Sequence, residues 1–513
     1  MKSVRLARNA MTVGFWTLMS RILGFAREIL ILGLIGPGPL LDAFVAAFRL
    51  PNMFRRFFAE GAFNAAFVPM FSKRVEADDN PDGFGSDALN GLAFVVLILI
   101  AIAMIFMPVF VWATASGYSG DERFDLTVGF GRIVFPYILF MSLAALFSGV
   151  LNAKGHFTAA AAAPVLLNIF TVGSMTVAYF IGGSIVHWLI WTVPVAGIAQ
   201  LALVWVAAVK SGVNLKPGRP RWTPQMKHLV KVAVPAALAS GVMQINLLVG
   251  QQAASQFDNA VGWLFAADRL YQLPLGVVGI AIGIVLLPDL SRRLKSDDKD
   301  GAKHALSRAG EMALALTIPS AVAMVVIPFP LVSVLYERGA TTSADSIAMA
   351  QAVAIYAIGL PAFVLQKILQ PLYFSREDTK SPFRYAVWSM VVNAVIAVGG
   401  IPFFGWLAPA IATSFAGWVM VLQLAYGRKS MGDEARFDPR FVARLVRITA
   451  AAVVMGACLL GASMLLADML RTDTIRYLAL VLLLLVAAVS YFGAGTIFGA
   501  FTKSELRSTF ERG

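Results

Sequence analysis

Fourteen stretches of this chain are each long and apolar enough to fill a bilayer: 10–36, 41–71, 88–115, 124–152, 158–182, 185–209, 228–255, 259–290, 305–336, 345–373, 383–402, 405–427, 443–467 and 475–500. A helix crossing the hydrocarbon core needs about 20 apolar residues. Backbone polar groups at that depth must be satisfied by the chain itself, so only helices and closed barrels span. Barrel strands are shorter and alternate apolar with polar residues, whereas these runs are continuous. The expected fold class is therefore all-α polytopic, with about 14 transmembrane helices. Composition agrees: 58% of the 513 residues are hydrophobic and 14% charged, against about 45–50% and 25% in soluble chains.

The charged residues set the expected orientation. With the N-terminus inside, 30 of the 42 Lys and Arg fall in cytoplasmic segments and four (Arg123, Arg338, Arg471, Arg476) outside. That bias places both termini in the cytoplasm and requires an even number of spans. The basic opening MKSVRLARNA leads into an apolar run that continues too far for a signal peptide, and it is read as a retained first helix. The net charge of +13 fits cytoplasmic loops facing anionic headgroups rather than nucleic acid. The single cysteine, Cys458, allows no intrachain disulfide, and the four histidines show no metal-ligand spacing. No metal, cofactor or coupling ion is indicated.

Eight basic residues remain more than four residues inside the span ends: Arg21, Arg27, Arg49, Arg55, Arg56, Arg132, Arg269 and Lys367. Five of these lie in the first two helices. An arginine at the bilayer centre costs about 2.5–3.5 kcal/mol on insertion scales. Acids at similar depth are fewer: Glu28, Asp42, Glu60, Asp268 and Glu311. Some pairing is expected, Arg56 with Glu60 at i,i+4 and Arg27 with Asp42 across the first hairpin. Arg132 and Lys367 are close enough to span ends to snorkel. The remaining surplus needs water, so these side chains are expected to line a wet cavity that attracts an anion. Guanidinium forks suit phosphate oxygens better than a lysine point charge does, and a diphosphate would engage several at once.

An internal repeat organises the chain. AAFRL (46–50) matches AADRL (266–270), and VPMFSKRVEADD (68–79) matches LPDLSRRLKSDD (287–298) at nearly the same offset. The offset covers six spans, so the copies share orientation, as in parallel transporter repeats. The expected domains are an N-lobe (1–211, helices 1–6), a C-lobe (212–430, helices 7–12) and an addition of helices 13–14 with the tail (431–513). Helix 2 carries Pro51 and Gly61, and the repeat copy carries Pro274 and Gly276. These read as matching interruptions, hinges at a transport site. Catalysis lacks support: there is no Gly-rich phosphate loop, no nucleophile constellation and no loop large enough for a soluble active site. The chain is expected to be a transporter, not an enzyme.

The segments SRILGFARE, DAFVAAFRLPNMFRRFFAEGAFNAAFVPMFS, FPYILFMSLAALFSGVLNAKGHF and ADRLYQLPLGVVGIAIGIVLLPDLS resemble the MurJ (MviN) family of lipid II flippases, part of a superfamily of multidrug, oligosaccharidyl-lipid and polysaccharide exporters. The resemblance implies two six-helix lobes around a cationic cavity, and two extra helices forming a hydrophobic groove for a polyprenyl tail. It implies translocation of undecaprenyl-diphosphate-linked disaccharide-pentapeptide from the cytoplasmic to the periplasmic leaflet of the bacterial inner membrane, by alternating access. It places diphosphate contacts on Arg21, Arg27, Arg55 and Arg269 and cavity or gate acids on Asp42 and Glu60, with Arg49, Arg56 and Asp268 as further candidates. Gln272 stands where some relatives carry an acid. The implied partners are lipid II, membrane lipids and other cell-wall synthesis proteins, with the chain itself a monomer. The competing readings are an ion-coupled multidrug exporter, which should show acids and aromatics rather than an arginine surplus, and a flippase for another polyprenyl-diphosphate-linked saccharide.

Overall fold

A computed structural model of the chain describes residues 2–55, 62–296 and 298–501. Among the described residues every regular element is helical. The contacts group them into two compact units, Met1–Gly262 and Trp263–Gly513. The first contains α1 (Lys2–Leu34), α2 (Pro39–Arg55), α3 (Ala62–Ala77), α4 (Pro81–Thr114), α5 (Glu122–Val134), α6 (Tyr137–Ala153), α7 (Thr158–Ile181), α8 (Ile185–Lys210) and α9 (Pro224–Ala254). The second is built from α10 (Ala260–Lys295) after its first three residues, α11 (Lys299–Val326), α12 (Pro328–Tyr336), α13 (Ser343–Phe374), α14 (Lys380–Gly399), α15 (Ile401–Phe404), α16 (Ala408–Gly427), α17 (Pro439–Leu465), α18 (Ala467–Arg471) and α19 (Arg476–Ile497).

Ten of these helical segments are long and apolar enough to cross a membrane, by length and composition among the described residues. The four other expected spans coincide with α1, with α2 plus α3, with α9 and with α10. The chain is a multi-pass membrane protein. Several helices start at a polar cap followed by proline: Asn80–Pro81, Thr223–Pro224 and Asp438–Pro439. In each, the cap side chain accepts a hydrogen bond from an amide of the first turn. Proline fits the next position because its missing N–H had no partner there anyway.

The prolines divide into two sets. Pro136 separates α5 from α6, and Ile327, just before Pro328, leaves helical geometry between α11 and α12. Pro51 and Pro274 do neither. α2 continues through Pro51 to Arg55, and α10 runs unbroken from Ala260 to Lys295 past Pro274 and Gly276. The expected interruptions at these residues are therefore absent. A proline removes one backbone hydrogen bond, but leaving helical geometry within a membrane would strand several more. Gly61 lies outside the described residues.

The repeat has a local structural signature in each unit. At the end of α3, the Asp79 amide donates to the Arg74 carbonyl (3.0 Å) while Arg74 Nη1 donates to Asp79 Oδ2 (2.8 Å). At the end of α10, the Asp298 amide donates to the Arg293 carbonyl (2.9 Å) and Arg293 Nη1 to Asp298 Oδ2 (3.1 Å). Both ends use the six-to-one backbone bond of a Schellman-type stop, fastened by an ion pair.

The core of the first unit is an aromatic and aliphatic cluster around Phe67, Phe71, Phe84, Phe135 and Met107. In the second unit, α13 packs against α11 and α16. A separate apolar cluster joins α17 and α19 to α11 and α12 through Ile327, Ala451, Ala452, Met455, Leu459 and Leu483.

Candidate functional site

α1 packs along α7, and the contact is polar at one level. Arg27 Nη1 donates to Asn168 Oδ1 at 3.0 Å, and Arg27 Nη2 meets Glu28 Oε1 at 2.5 Å. Asn168 Nδ2 in turn donates to the Ser20 carbonyl at 2.9 Å. Asn168 thus ties two turns of α1 to α7. Glu28 is only 3% exposed, with the guanidinium packed beside it. Arg27 therefore does not meet Asp42, as the sequence suggested. The adjacent Glu28 is nearer, and α2 points Asp42 elsewhere. Arg21, two turns earlier on α1, is exposed and forms no ion pair among the described residues.

Asp42 lies in the first turn of α2, fully buried. Its Oδ1 accepts from the Gly262 amide at 2.8 Å and its Oδ2 lies 3.8 Å from Arg123 Nη1. A Cβ on Gly262 would meet both Asp42 Oδ1 and Leu41 Cδ2 at 3.1 Å, so the close approach favours glycine. Arg123 collects two further carboxylates, Asp121 (2.5 Å) and Asp258 (2.9 Å), and its guanidinium covers the Tyr118 ring at 4.7 Å. Burial pushes the Asp121 carboxyl up, but hydrogen bonds from the Arg123 amide and guanidinium outweigh it and hold the group below the usual carboxylate range. Burial also pushes the Tyr118 hydroxyl well above its ordinary value, keeping it neutral.

The other candidates are spread over α2 and α10. Arg49 Nη1 donates to the Leu247 carbonyl (3.4 Å), and Arg55 Nε donates to Asn52 Oδ1 (2.9 Å) one turn back. On α10, Arg269 stacks over Phe265 with 4.8 Å from guanidinium carbon to ring centre, and Gln272 donates to Asp268 one turn away. Gln272 is thus a neutral partner for an acid already present on the same helix. Arg56 and Glu60 fall outside the described residues. The structure brings Arg27 together with Glu28, Asn168 and Ser20, and Asp42 together with Arg123, Asp121, Asp258 and Gly262, as two separate clusters.

Two participants escaped the sequence reading. Asn168 sits in the apolar run VLLNIFTVG, where a lone amide needs a partner, and that need was a usable signal. Arg123 was counted only as a basic residue outside the membrane. Its three carboxylates come from positions 42, 121 and 258, and only Asp121 is local. Among the described residues no group of His, Cys, Asp and Glu could hold a metal ion.

Comparison with known proteins adds a further finding. The family model described as "Lipid II flippase MurJ" matches residues 31–485. The chain is 46% identical over 427 residues to a protein of Rhizobium tropici named "Probable lipid II flippase MurJ", covering 82% of this chain and 80% of that one. It is 33% identical over 464 residues to the "Lipid II flippase MurJ" of Burkholderia cenocepacia, covering 88% and 89%. Among solved structures it resembles one described as "Lipid II flippase MurJ, inward closed conformation", with a TM-score of 0.80 at 26% identity over 95% of this chain and 98% of that one. A multidrug resistance MATE family transporter in an inward-facing conformation shares the fold, with a TM-score of 0.66 at 15% identity over 82% and 98%.

Proposed function

We propose that this chain, which belongs to the lipid II flippase MurJ family, moves lipid II from the cytoplasmic to the periplasmic leaflet of the bacterial inner membrane by alternating access. The observation that carries the reading is the family likeness over residues 31–485, which runs through α2 and α10 with Arg49, Arg55 and Arg269. Both termini are cytoplasmic, and lobes 1–211 and 212–430 rock about the bound headgroup while helices of 431–513 hold the polyprenyl tail in an apolar groove.

In this reading the diphosphate is drawn to Arg21, Arg27, Arg55 and Arg269, assisted by Arg49. Glu28 and Asn168 orient Arg27, and Phe265 stacks under Arg269. A planar guanidinium pre-organised against a ring or an amide loses less entropy for each hydrogen bond it forms to a phosphate. An inside-negative potential favours outward movement of an anion by about 2.3 kcal/mol per charge per 100 mV. The chemistry is binding and release, with no bond made or broken. The arginine surplus sets this reading above the multidrug exporter, whose organic cations need acids.

Depleting the protein while probing which leaflet holds lipid II tests the proposal. Accumulation of precursor on the cytoplasmic side is expected. Unchanged exposure of lipid II at the outer face contradicts it.

A further inference from the structure

The segment joining α8 to α9 runs extended along the first turns of α4. The amides of Asn214, Lys216 and Gly218 donate to Asp82 Oδ2 (3.1 Å), Ser86 Oγ (3.0 Å) and Asn90 Oδ1 (2.8 Å), and Asn90 Nδ2 donates back to the Lys216 carbonyl (3.2 Å). The register works because two extended residues advance about 6.6 Å and four helical residues about 6 Å. Every second linker amide therefore meets every fourth helix side chain. The seam turns a linker into a fixed wall.

Two cavities open beside that wall. The first, of about 520 Å³, is polar and includes Arg74, Lys216, Arg219, Arg221, Asp79 and Asp87 in its lining. Arg74 is already paired with Asp79. Lys216, Arg219 and Arg221 form no ion pair among the described residues, which sets three cations against Asp87. The second cavity, of about 480 Å³, is apolar and is lined by Leu92, Phe94 and Val95 of α4, Met226 and Val230 of α9, and Trp222. Arg221 lines both. Along α4 the polar cavity borders Gly83 to Asn90 and the apolar one Gly91 to Val95. Moving from the start of the helix into the membrane, cations come first and hydrocarbon second, the order of a lipid's own phosphate and acyl chain. Trp222 is 65% exposed, an amphipathic ring of the kind found at headgroup level.

We infer that this pair of cavities is a binding site for an anionic glycerophospholipid of the cytoplasmic leaflet, in the orientation proposed above. The phosphate sits among Lys216, Arg219 and Arg221, and one acyl chain fills the apolar groove. The charge surplus selects the anion, and the juxtaposed groove selects a lipid over a soluble phosphate. The site is built entirely within the first unit, and does not use the arginines assigned to transport.

Native mass spectrometry of the full chain in detergent tests this, using phosphatidylglycerol, phosphatidylcholine with matched chains, inorganic phosphate and lipid II as probes. Phosphatidylglycerol should be retained in preference to phosphatidylcholine. The triple variant Lys216→Ala, Arg219→Ala, Arg221→Ala should weaken it by at least about tenfold. A control with equal charge loss, Lys154→Ala, Lys210→Ala, Lys380→Ala, should leave it unchanged. Val95→Trp, at a half-exposed position, should fill the groove and weaken the long-chain lipid. Equal retention of both phospholipids, an equal loss in the control, no loss in the first triple variant, or retention of inorganic phosphate or lipid II in place of phosphatidylglycerol through those three residues overturns the inference. Leaflet exposure of lipid II, read in parallel, reports on the flippase reading independently.

Discussion

α1 and the pair α17–α19 solve the same problem, a helix in lipid, by opposite means. α1 carries Arg21, Arg27 and Glu28 within its length, with Arg27 paired to Glu28 and bonded to Asn168 of α7. α17 and α19 close over Ala451, Ala452, Leu459 and Leu483, with arginines only in the N-terminal third of α17 (Arg440, Arg444, Arg447) and at the start of α19 (Arg476). Burying polar groups in a membrane is costly unless each finds a partner. The difference therefore separates a helix that holds charge for use from a pair that offers only apolar surface. In the proposed mechanism the first meets the diphosphate and the second the hydrocarbon tail.

The strongest way to break that contrast is to remove the charge from α1. Arg27→Ala should abolish lipid II exposure at the outer face and also lower stability, by about 3–5 kcal/mol for a broken buried pair, because Glu28 loses its guanidinium. Thermal unfolding in detergent separates the two losses. Arg21→Ala should abolish exposure with no change in stability, since Arg21 is exposed. Full transport by both variants would remove the distinction.

Putting charge into the apolar pair is the converse. Ala452→Arg buries a guanidinium where the cluster offers hydrocarbon, with an insertion cost of about 2.5–3.5 kcal/mol, and should cut the amount of folded protein in the membrane. Normal abundance of this variant would show that α17 tolerates charge as α1 does.

Asn168→Ala sharpens the account of how α1 is held. It removes bonds to Arg27 and to the Ser20 carbonyl, at about 1–3 kcal/mol for stranded buried groups. It should slow transport without abolishing it. A variant as inactive as Arg27→Ala would make Asn168 a direct contact of the substrate.

The smallest expected effect is on pH. Asp121 titrates below its unfolded value, so its contribution is present above the ordinary carboxylate range and is lost as pH falls through the lowered value. Stability in detergent should therefore decline slightly more steeply below about pH 4, the unperturbed aspartate range, in the wild type than in Asp121→Asn. Parallel curves would show that the Arg123 cluster does not depend on that charge.

The fold was legible because apolar runs of bilayer length constrain a chain more than any local propensity does. The repeat was legible too, since its SKRVEADD and SRRLKSDD segments end helices with the same arginine-to-aspartate fastening. Breaks were misread. Pro51 and Pro274 look like interruptions in a string of letters, but a helix in a membrane loses less by keeping its other hydrogen bonds. Partners were the least legible. Arg27 has an acid beside it in sequence, an acid across the first hairpin and an amide on α7. Only packing of α1 on α7 decides among them. Arg123 gathers carboxylates across more than 200 residues of chain, which no local pattern records.

The central claim is that guanidinium groups on the membrane helices carry the diphosphate across. The most direct test is the fraction of lipid II reachable from outside in cells whose only copy is the double variant Arg21→Ala, Arg269→Ala, compared with wild type at equal abundance. The account predicts a fall to the level seen on depletion. Exposure equal to wild type would contradict it.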